Sequence, residues 1–198
     1  FILGKEFIGS KNVCLILGDN IFYGSGISGK LIETCNNFNG ATIFGYHVND
    51  PERFGVAELD SNNQVIRIKE KPKNPPSNIA ITGLYFYDNN VIDIASDLKP
   101  SSRNELEITD VNNKYLKMGK LNLEILARGH TWLDTGTAES LNEASNFVQA
   151  IQTKQGFIIA CLEEIAFKQN WISKSELNSV IKHYESSSYG NYLKRISK

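Results

Sequence analysis

The 198-residue sequence predicts an α/β fold with a mixed, mostly parallel central sheet, followed by a small helical extension at the C-terminus. Three observations carry this prediction. An apolar run without alternation lies near the N-terminus, segments typical of strands then alternate with segments of helical spacing, and from about residue 155 the pattern becomes helical and more polar. We therefore expect a main domain over residues 1–154 and a helical extension over residues 155–198.

The first predicted strand is the apolar run over residues 12–17. A run without alternation is typical of a strand buried on both faces of a largely parallel sheet. Apolar residues then recur at helical spacing over residues 27–38, and "GATIFGYHV" supplies a second strand over 41–48. Strand, helix and strand in this order predict a right-handed crossover.

A hairpin is predicted next, because "VAEL" and "QVIRIKE" flank the turn "DSNN". The proline-rich segment 71–78 is a predicted loop, and the β-branched and aromatic residues of "IAITGLYFYD" predict another strand. The spacing of apolar residues from Ile108 to Met118 predicts an amphipathic helix, followed by the strand "LNLEILAR". Thr137 is the predicted N-cap of a helix over 138–152.

Composition excludes several classes of partner. The net charge is −1 and 22% of the residues are charged, so the sequence has no footprint for nucleic acid and no polybasic patch for a membrane surface. The three cysteines, Cys14, Cys35 and Cys161, have no C-x-x-C spacing. Because Cys14 and Cys35 lie among apolar residues, we expect buried free thiols and a cytoplasmic location.

A glycine pattern raises the possibility of a nicotinamide cofactor. Residues 24–29 spell G-x-G-x-x-G before a predicted helix, and Asp50 follows at the distance of a ribose-binding acid. The first glycine of such a loop belongs at the end of the strand, whereas the predicted strand ends near Gly18. Asp19 also puts a negative charge where a phosphate would need N–H donors. A nicotinamide oxidoreductase stays open as an alternative.

Two aspartates are candidate metal ligands. Asp19 follows the first predicted strand and Asp134 follows the apolar stretch "HTWL", and Mg²⁺ prefers one or two such carboxylates together with phosphate oxygens and water. Either residue can equally be explained as part of an Asx turn. In "KEKP", Glu70 could accept hydrogen bonds from sugar hydroxyls and Lys71 could hold a phosphate, with Pro72 favouring an extended backbone at Lys71. The alternative is a solvated, charged strand end.

Together these stretches resemble the sugar nucleotidyltransferases, and among them the glucose-1-phosphate thymidylyltransferases (dTDP-glucose pyrophosphorylases). The matching stretches are "LILGDNIFYG", "YHVNDPERFGVAELD", "IKEKPKNPPSN", "TGLYFYDNNV", "LKPSSRNELEITDVN", "WLDTGTAESLNEASNFV" and, in the tail, "EEIAF". The resemblance implies a Rossmann-like nucleotidyltransferase fold and the conversion of dTTP and glucose 1-phosphate to dTDP-glucose and pyrophosphate. It also implies a cytoplasmic homotetramer that takes the first step of dTDP-rhamnose synthesis for polysaccharides.

The resemblance assigns roles to individual residues. It implies Mg²⁺ ligands at Asp19 and Asp134, and phosphate contacts that support catalysis at Lys71 and Arg103. The substrate-binding residues that it implies are Asn20, Gly55, Glu70, Lys71, Ile81, Arg103 and Glu105. A regulatory nucleotide site at a subunit interface is implied for Tyr23, Gly24, Arg128, Glu164 and Ile165, and it would explain the glycine pattern without a nicotinamide.

The sequence also departs from the family. The glycine-rich loop that ends in Thr-Arg-Leu and the base-reading segment after it are absent, the chain begins at Phe1, and its only methionine is Met118. We expect an N-terminally truncated chain that lacks the first sheet strands and, alone, binds dTTP poorly and turns over little or not at all. The alternatives are a non-catalytic sugar-phosphate-binding or regulatory fragment, and a relative that uses UTP.

Overall fold

The structure, a computed structural model, describes residues 1–198. The strands are β1 (Val13–Ile16), β2 (Asn20–Gly24), β3 (Ala41–His47), β4 (Gly55–Leu59), β5 (Val65–Glu70), β6 (Ile79–Tyr87), β7 (Leu121–Ile125) and β8 (His130–Asp134). The α-helices are α1 (Lys5–Ile8), α2 (Ile27–Asn37), α3 (Val91–Ser96), α4 (Ile108–Lys117), α5 (Ala138–Gln155), α6 (Leu162–Lys168), α7 (Lys174–His183) and α8 (Ser188–Ile196). A single 3₁₀ turn covers Pro51–Arg53.

The main sheet has six strands, five of them in the order β5-β4-β6-β3-β7, and β1 also pairs with β6. The predicted mixed sheet is confirmed, but the expectation that its pairing is mostly parallel is wrong. Only β3 and β7 pair in parallel, and the other pairings are antiparallel. The reason is the position of β6: β1 and β3 run in the same direction, and β6 lies between them in the opposite direction.

Strand β6 is the centre of the core, because all of its residues are buried. Its side chains alternate between two apolar clusters, as the pleat requires. Ile81 and Tyr85 belong to the cluster that includes Val111 of α4, and Leu84 and Phe86 belong to the cluster that includes Phe44 of β3. The largely apolar and aromatic composition of β6 agrees with burial on both faces.

Strand β1 corrects two expectations from the sequence. We expected burial on both faces, but Val13 and Leu15 pack against the core while Cys14 and Ile16 are exposed. Cys14 and Cys35 were expected to be buried thiols, and both are exposed. The second face of β1, which carries Cys14 and Ile16, is therefore open to solvent at these two side chains.

The edge strand β5 is fixed by a side chain of α4. The Asn113 amide accepts a hydrogen bond from the backbone N–H of Ile68 at 3.0 Å and donates one to the carbonyl of Ile68 at 2.9 Å. These are the two bonds that a neighbouring strand would make. Glu70, two residues further along, therefore ends a strand whose backbone is held on both sides.

The chain divides into two compact units, Phe1–Gly136 and Thr137–Lys198. In the second unit, α5 begins as predicted at the N-cap Thr137, whose hydroxyl accepts the N–H of Ser140. The unit has its own buried cluster, formed by Cys161, Leu177, Ile181, Tyr192 and Leu193. The domain boundary that we expect at 154/155 remains a prediction. None of the eight helices combines the length and the apolar character needed to cross a membrane.

Candidate active site

A two-stranded antiparallel ribbon, β2–β8, brings the two candidate metal ligands together. Its register pairs Asn20 with Asp134, so Asp19 in the turn before β2 lies beside the end of β8. The backbone N–H and the hydroxyl of Thr135 both donate to the Asp19 carbonyl, at 2.8 and 2.9 Å. The backbone around Asp19 is thereby fixed to the end of β8.

The two carboxylates converge above Gly136. A Cβ atom at this position would lie 3.0 Å from Oδ1 of Asp134 and 3.7 Å from Oδ2 of Asp19. The backbone N–H of Gly136 donates to Oδ1 of Asp134 at 2.9 Å and so orients that carboxylate. No group of three or more His, Cys, Asp or Glu side chains forms a metal site in the chain. Two carboxylates fit a divalent ion such as Mg²⁺ that takes its other ligands from phosphate and water.

Asn20 connects this pair to the main sheet. Its Oδ1 accepts hydrogen bonds from the backbone N–H of Gly83 at 2.9 Å and from Nε1 of Trp132 at 2.6 Å, and its Nδ2 donates to Oδ1 of Asp19 at 2.8 Å. The resemblance implies that Asn20 contacts the sugar nucleotide. The amide is already largely engaged within the protein, and one Nδ2–H is left for a ligand.

The Asn20 amide fills a gap at one edge of β6. Along this edge β4 pairs at Ala80 and β1 begins to pair at Leu84, so residues 81–83 lie between the two strands. A Cβ atom at Gly83 would be only 2.5 Å from Oδ1 of Asn20. Glycine is therefore required at position 83 by the close approach of the amide.

Phe54 contacts both the β2–β8 ribbon, which positions the aspartate pair, and the end of the β4–β5 hairpin, where the other predicted site residues lie. Its ring packs on Trp132 with centroids 5.0 Å apart, and its carbonyl accepts the backbone N–H of Lys71 at 3.0 Å. The extended backbone that we expected at Lys71 is wrong, because its φ is +39°. The hydrogen bond to Phe54 closes the end of the β4–β5 hairpin and overrides the local effect of Pro72.

Glu70, the last residue of β5, is oriented by a buried hydroxyl. Thr109 donates from Oγ1 to Oε2 of Glu70 at 2.5 Å. A Cβ atom at Gly55 would lie 3.1 Å from Oγ1 of Thr109 and 3.4 Å from Oε2 of Glu70. Gly55 therefore leaves room beside the carboxylate. The nearby charge of Glu70 adds to the effect of burial in raising the pKa of Tyr85.

Arg103 lies among three carboxylates. Its Nη2 is 2.5 Å from Glu105, its Nη1 is 3.5 Å from Glu70, and its Nε is 3.6 Å from Glu107. Desolvation alone would lower the pKa of Arg103, but the negative charges of Glu107, Glu105 and Glu70 outweigh it and raise that pKa. The structure thus brings Gly55, Glu70, Lys71, Arg103 and Glu105 to one end of the β4–β5 hairpin.

The remaining predicted residues lie elsewhere or contribute only backbone. Ile81 is buried in β6 opposite Gly45, so its side chain belongs to the core. Tyr23, Gly24 and Arg128 lie in the first unit, and Glu164 and Ile165 lie in α6 of the second unit. The structure brings Gly24 directly against His130, since a Cβ atom there would be 2.7 Å from Cδ2 of that ring.

The first strand ends before Gly18 as expected, but the glycine pattern follows a further strand that we did not predict. Residues 20–24 form β2, and α2 begins at Ile27. However, β2 pairs in antiparallel fashion with β8 and belongs to no parallel strand-helix-strand unit. The ribose-binding candidate Asp50 is ion-paired with Arg53 at 2.8 Å. This topology does not provide the context of a dinucleotide-binding loop.

Four site residues were missed in the sequence: Trp132, Thr109, Glu107 and Phe54. Each contacts a residue that the sequence predicted. A buried tryptophan needs a partner for its N–H, so the Trp132 two positions before Asp134 was the one available signal.

Comparison with known proteins defines the class first. Residues 1–151 match the family described as Nucleotidyl transferase. The α/β fold and the paired carboxylates at the ends of strands agree with this match, so the protein is a nucleotidyltransferase. Enzymes of this class typically need a divalent metal.

Curated relatives assign the chain to one family within the nucleotidyltransferases. The chain is 54% identical over 193 residues to the glucose-1-phosphate thymidylyltransferase of Neisseria gonorrhoeae, covering 98% of this chain and 67% of the relative. It is 52% identical over 198 residues to the enzyme of the same name from Xanthomonas campestris pv. campestris (strain B100), covering 100% of this chain and 67% of the relative. The chain belongs to the glucose-1-phosphate thymidylyltransferase family and spans about two thirds of the length of these relatives.

Solved structures agree with this assignment. A crystal structure described as that of a glucose-1-phosphate thymidylyltransferase from Bacillus anthracis, in complex with a sucrose, matches with a TM-score of 0.65 and 44% identity over 73% of this chain and 57% of that chain. A UDP-glucose pyrophosphorylase complexed with UDP-glucose matches with a TM-score of 0.66 and 22% identity, over 74% of this chain and 59% of that chain. The second match supports the fold alone.

Proposed function

We propose that this chain provides the sugar-phosphate side and the metal ligands of a Mg²⁺-dependent glucose-1-phosphate thymidylyltransferase. The reaction is dTTP + glucose 1-phosphate → dTDP-glucose + pyrophosphate. A phosphate oxygen of the sugar phosphate attacks the α-phosphorus of dTTP, and the bond to pyrophosphate breaks. The single observation that carries the proposal is the convergence of Asp19 and Asp134 above Gly136.

Asp19 and Asp134 would hold the Mg²⁺. The bound ion offsets negative charge on the α-phosphate and on the leaving pyrophosphate. Asn20 keeps the Asp19 carboxylate turned toward Asp134, and Thr135 holds its backbone. A transfer of this kind depends on alignment and charge compensation more than on a covalent nucleophile, which agrees with a site built of carboxylates and cations.

The sugar phosphate would bind at the end of the β4–β5 hairpin. Glu70 would accept hydrogen bonds from sugar hydroxyls, and Gly55 leaves room for the sugar beside that carboxylate. Lys71 and Arg103 would contact the phosphate, with Glu105 supporting the sugar pocket. A main-chain contact from Ile81 completes the proposed set.

The test is pyrophosphate release with glucose 1-phosphate, Mg²⁺ and either dTTP or UTP. It is run on the 198-residue chain and on a hybrid that adds the segments of the Neisseria gonorrhoeae relative that this chain does not match. We expect activity with dTTP from the hybrid and little or none from the 198 residues. In the hybrid, Asp19→Asn and Asp134→Asn should each remove most activity, whereas Asp93→Asn, an exposed acid in α3, should leave it unchanged.

The outcomes distinguish a catalytic role from a binding or regulatory role, and a preference for dTTP from equal use of UTP. A folded hybrid that releases no pyrophosphate would overturn the catalytic proposal and favour a sugar-phosphate-binding or regulatory role. Equal rates with UTP and dTTP would overturn the preference for thymidine.

The family resemblance supports three further proposals. The protein works in the cytoplasm, it assembles as a homotetramer, and its product enters dTDP-rhamnose synthesis for polysaccharides. In such an assembly Tyr23, Gly24, Arg128, Glu164 and Ile165 would line a regulatory nucleotide site. Binding of dTDP-rhamnose to the hybrid, and its loss in Arg128→Ala, would test the regulatory site.

A further inference from the structure

A closed ring of contacts surrounds Arg103. The hydroxyl of Ser101 accepts the backbone N–H of Arg103 at 3.1 Å and donates to Oε1 of Glu107 at 2.8 Å. The same Oε1 lies 3.6 Å from Nε of the Arg103 side chain. The backbone of Arg103 is thus connected through Ser101 and Glu107 to its own guanidinium group.

The loop that carries Arg103 is also fixed. The backbone N–H of Ser101 donates to the carbonyl of Glu105 at 2.8 Å, and the N–H of Asn104 donates to the carbonyl of Ser101 at 2.9 Å. Asn104 has a φ of +61°, which closes the turn. Glu107, three residues further on, is the N-cap residue of α4 and has an extended backbone. Arg103 therefore extends from a short loop that is anchored to a helix of the core.

The three carboxylates around Arg103 differ in their access to solvent. The side chain of Glu107 is 11% exposed, that of Glu70 is 23% exposed and that of Glu105 is 58% exposed. Water screens an exposed charge and lets its side chain move, so Glu105 is the carboxylate that can release the guanidinium. Glu107 is held by Ser101 and is the least exposed of the three, so it is the most firmly fixed carboxylate beside Arg103.

We propose that Glu107, held by Ser101, is a positioning residue that keeps the guanidinium of Arg103 beside Glu70, where it meets the phosphate of the sugar 1-phosphate. The inference rests on the proposed function of this site. Without the charge of Glu107, Arg103 follows Glu105 into solvent, and the phosphate loses a partner with two parallel N–H donors. Glu107 acts through Arg103 and does not touch the substrate.

The test measures binding of glucose 1-phosphate to the 198-residue chain by isothermal titration calorimetry. Glu107→Gln keeps the size of the side chain and an acceptor for Ser101, and it removes only the charge. We expect it to weaken binding about ten- to hundredfold, the usual cost of misplacing a contact group. Glu58→Gln is the matched control, because it removes the same charge from the Glu58–Lys69 ion pair on the β4–β5 hairpin, at 3.0 Å, and should leave binding unchanged.

A double-mutant cycle with Arg103→Ala then tests whether Glu107 affects binding through Arg103. If Glu107 acts through Arg103, Glu107→Gln has no further effect in the Arg103→Ala background. The ¹⁵Nε–¹H signal of Arg103, assigned by its loss in Arg103→Ala, should move or broaden in Glu107→Gln without any ligand. A merely structural role of Glu107 would not give both the lack of a further effect in the Arg103→Ala background and the changed Arg103 signal. Unfolding in urea checks that each variant is folded. Ser101→Ala should weaken binding in the same direction.

The outcomes distinguish failure of the proposed sugar-phosphate site from failure of the positioning role of Glu107 alone. If the parent chain does not bind glucose 1-phosphate, the proposed sugar-phosphate site fails, and the positioning role fails with it. If the parent binds but Glu107→Gln binds equally well, or weakens the Arg103→Ala variant by the same factor as the parent, only the positioning role is overturned.

Discussion

The indole N–H of Trp132 donates to Oδ1 of Asn20 at 2.6 Å, across 112 positions of sequence. The same Asn20 amide donates to Oδ1 of Asp19, so the tryptophan acts on a candidate metal ligand through one intermediate residue. The indole ring also packs on Phe54. One buried side chain therefore supports both halves of the site.

Trp132→Phe should lower both stability and metal affinity. Phenylalanine keeps an aromatic ring at this position but cannot donate to Asn20, so we expect a loss of about 1–3 kcal/mol in the free energy of unfolding. Urea unfolding with and without Mg²⁺ measures both effects. The control is Trp171→Phe, because Trp171 is 73% exposed. Equal stability of the two variants would contradict the role of the hydrogen bond.

Gly83→Ala should displace the Asn20 amide. The added methyl group would lie 2.5 Å from Oδ1 of Asn20, and overpacking of this kind costs about 1–3 kcal/mol. Thermal unfolding followed by circular dichroism measures the loss. Gly29→Ala is the matched control, since nothing lies within 4 Å of a Cβ atom there. In the first turn of α2 this change should instead stabilise by less than about 1 kcal/mol, and destabilisation by both variants would contradict a specific role of Gly83.

Thr109→Val should weaken sugar-phosphate binding. Valine matches the shape of threonine but removes the hydrogen bond to Oε2 of Glu70. The carboxylate then loses its fixed orientation, and we expect about tenfold weaker binding of glucose 1-phosphate. Calorimetric titration measures the change. Thr109→Ser keeps the hydroxyl and should bind within about threefold of the parent; if serine and valine behave alike, the hydroxyl has no part in binding.

The ion pair between Lys30 and Glu124 predicts a pH-dependent stability. The hydrogen bond from Lys30, at 2.6 Å, is the main cause that lowers the pKa of Glu124. Because the pKa is lower in the folded chain, this carboxylate stabilises the fold above its unfolded pKa of about 4.3, and the contribution disappears as the pH falls through the folded value. Both side chains are about one third exposed, so the contribution at pH 7 is below about 1 kcal/mol.

The measurement for this pair is urea unfolding of Glu124→Gln at two pH values. The variant should be less stable than the parent at about pH 7 and indistinguishable from it at about pH 3. Glu33→Gln serves as the control, because Glu33 lines one cavity together with Lys30 and Glu124, and its change should have little effect at either pH. A difference between parent and Glu124→Gln that persists at low pH would refute this assignment.

Local patterns were sufficient for much of the fold. Alternation and turn residues predict the β4–β5 hairpin, the apolar run predicts β6, and Thr137 predicts the start of α5. The direction of pairing could not be predicted, because the insertion of β6 between β1 and β3 depends on tertiary contacts. The short helix α3 was also missed, since six residues give too little periodicity.

The sequence was sufficient to predict the acidic residues of the site but not the residues that orient them. Asp19, Asp134 and Glu70 stand out because charged residues end apolar segments. The ribbon β2–β8 was not predicted, because the glycines that follow Tyr23 indicate a loop. The contacts of Asn20 with Gly83 and Trp132 join distant segments, and no local pattern reveals them.

The amide of Asn113 also affects how copies of this chain can associate through the edge strand β5 in a crowded solution. An edge strand with free N–H and carbonyl groups is a template on which a second molecule can add its own strand. At Ile68 both groups are already satisfied by Asn113, so this stretch of β5 offers nothing for such growth. The side chain that holds the backbone of β5 before Glu70 thus also removes, at Ile68, one point at which a neighbouring copy could join edge to edge.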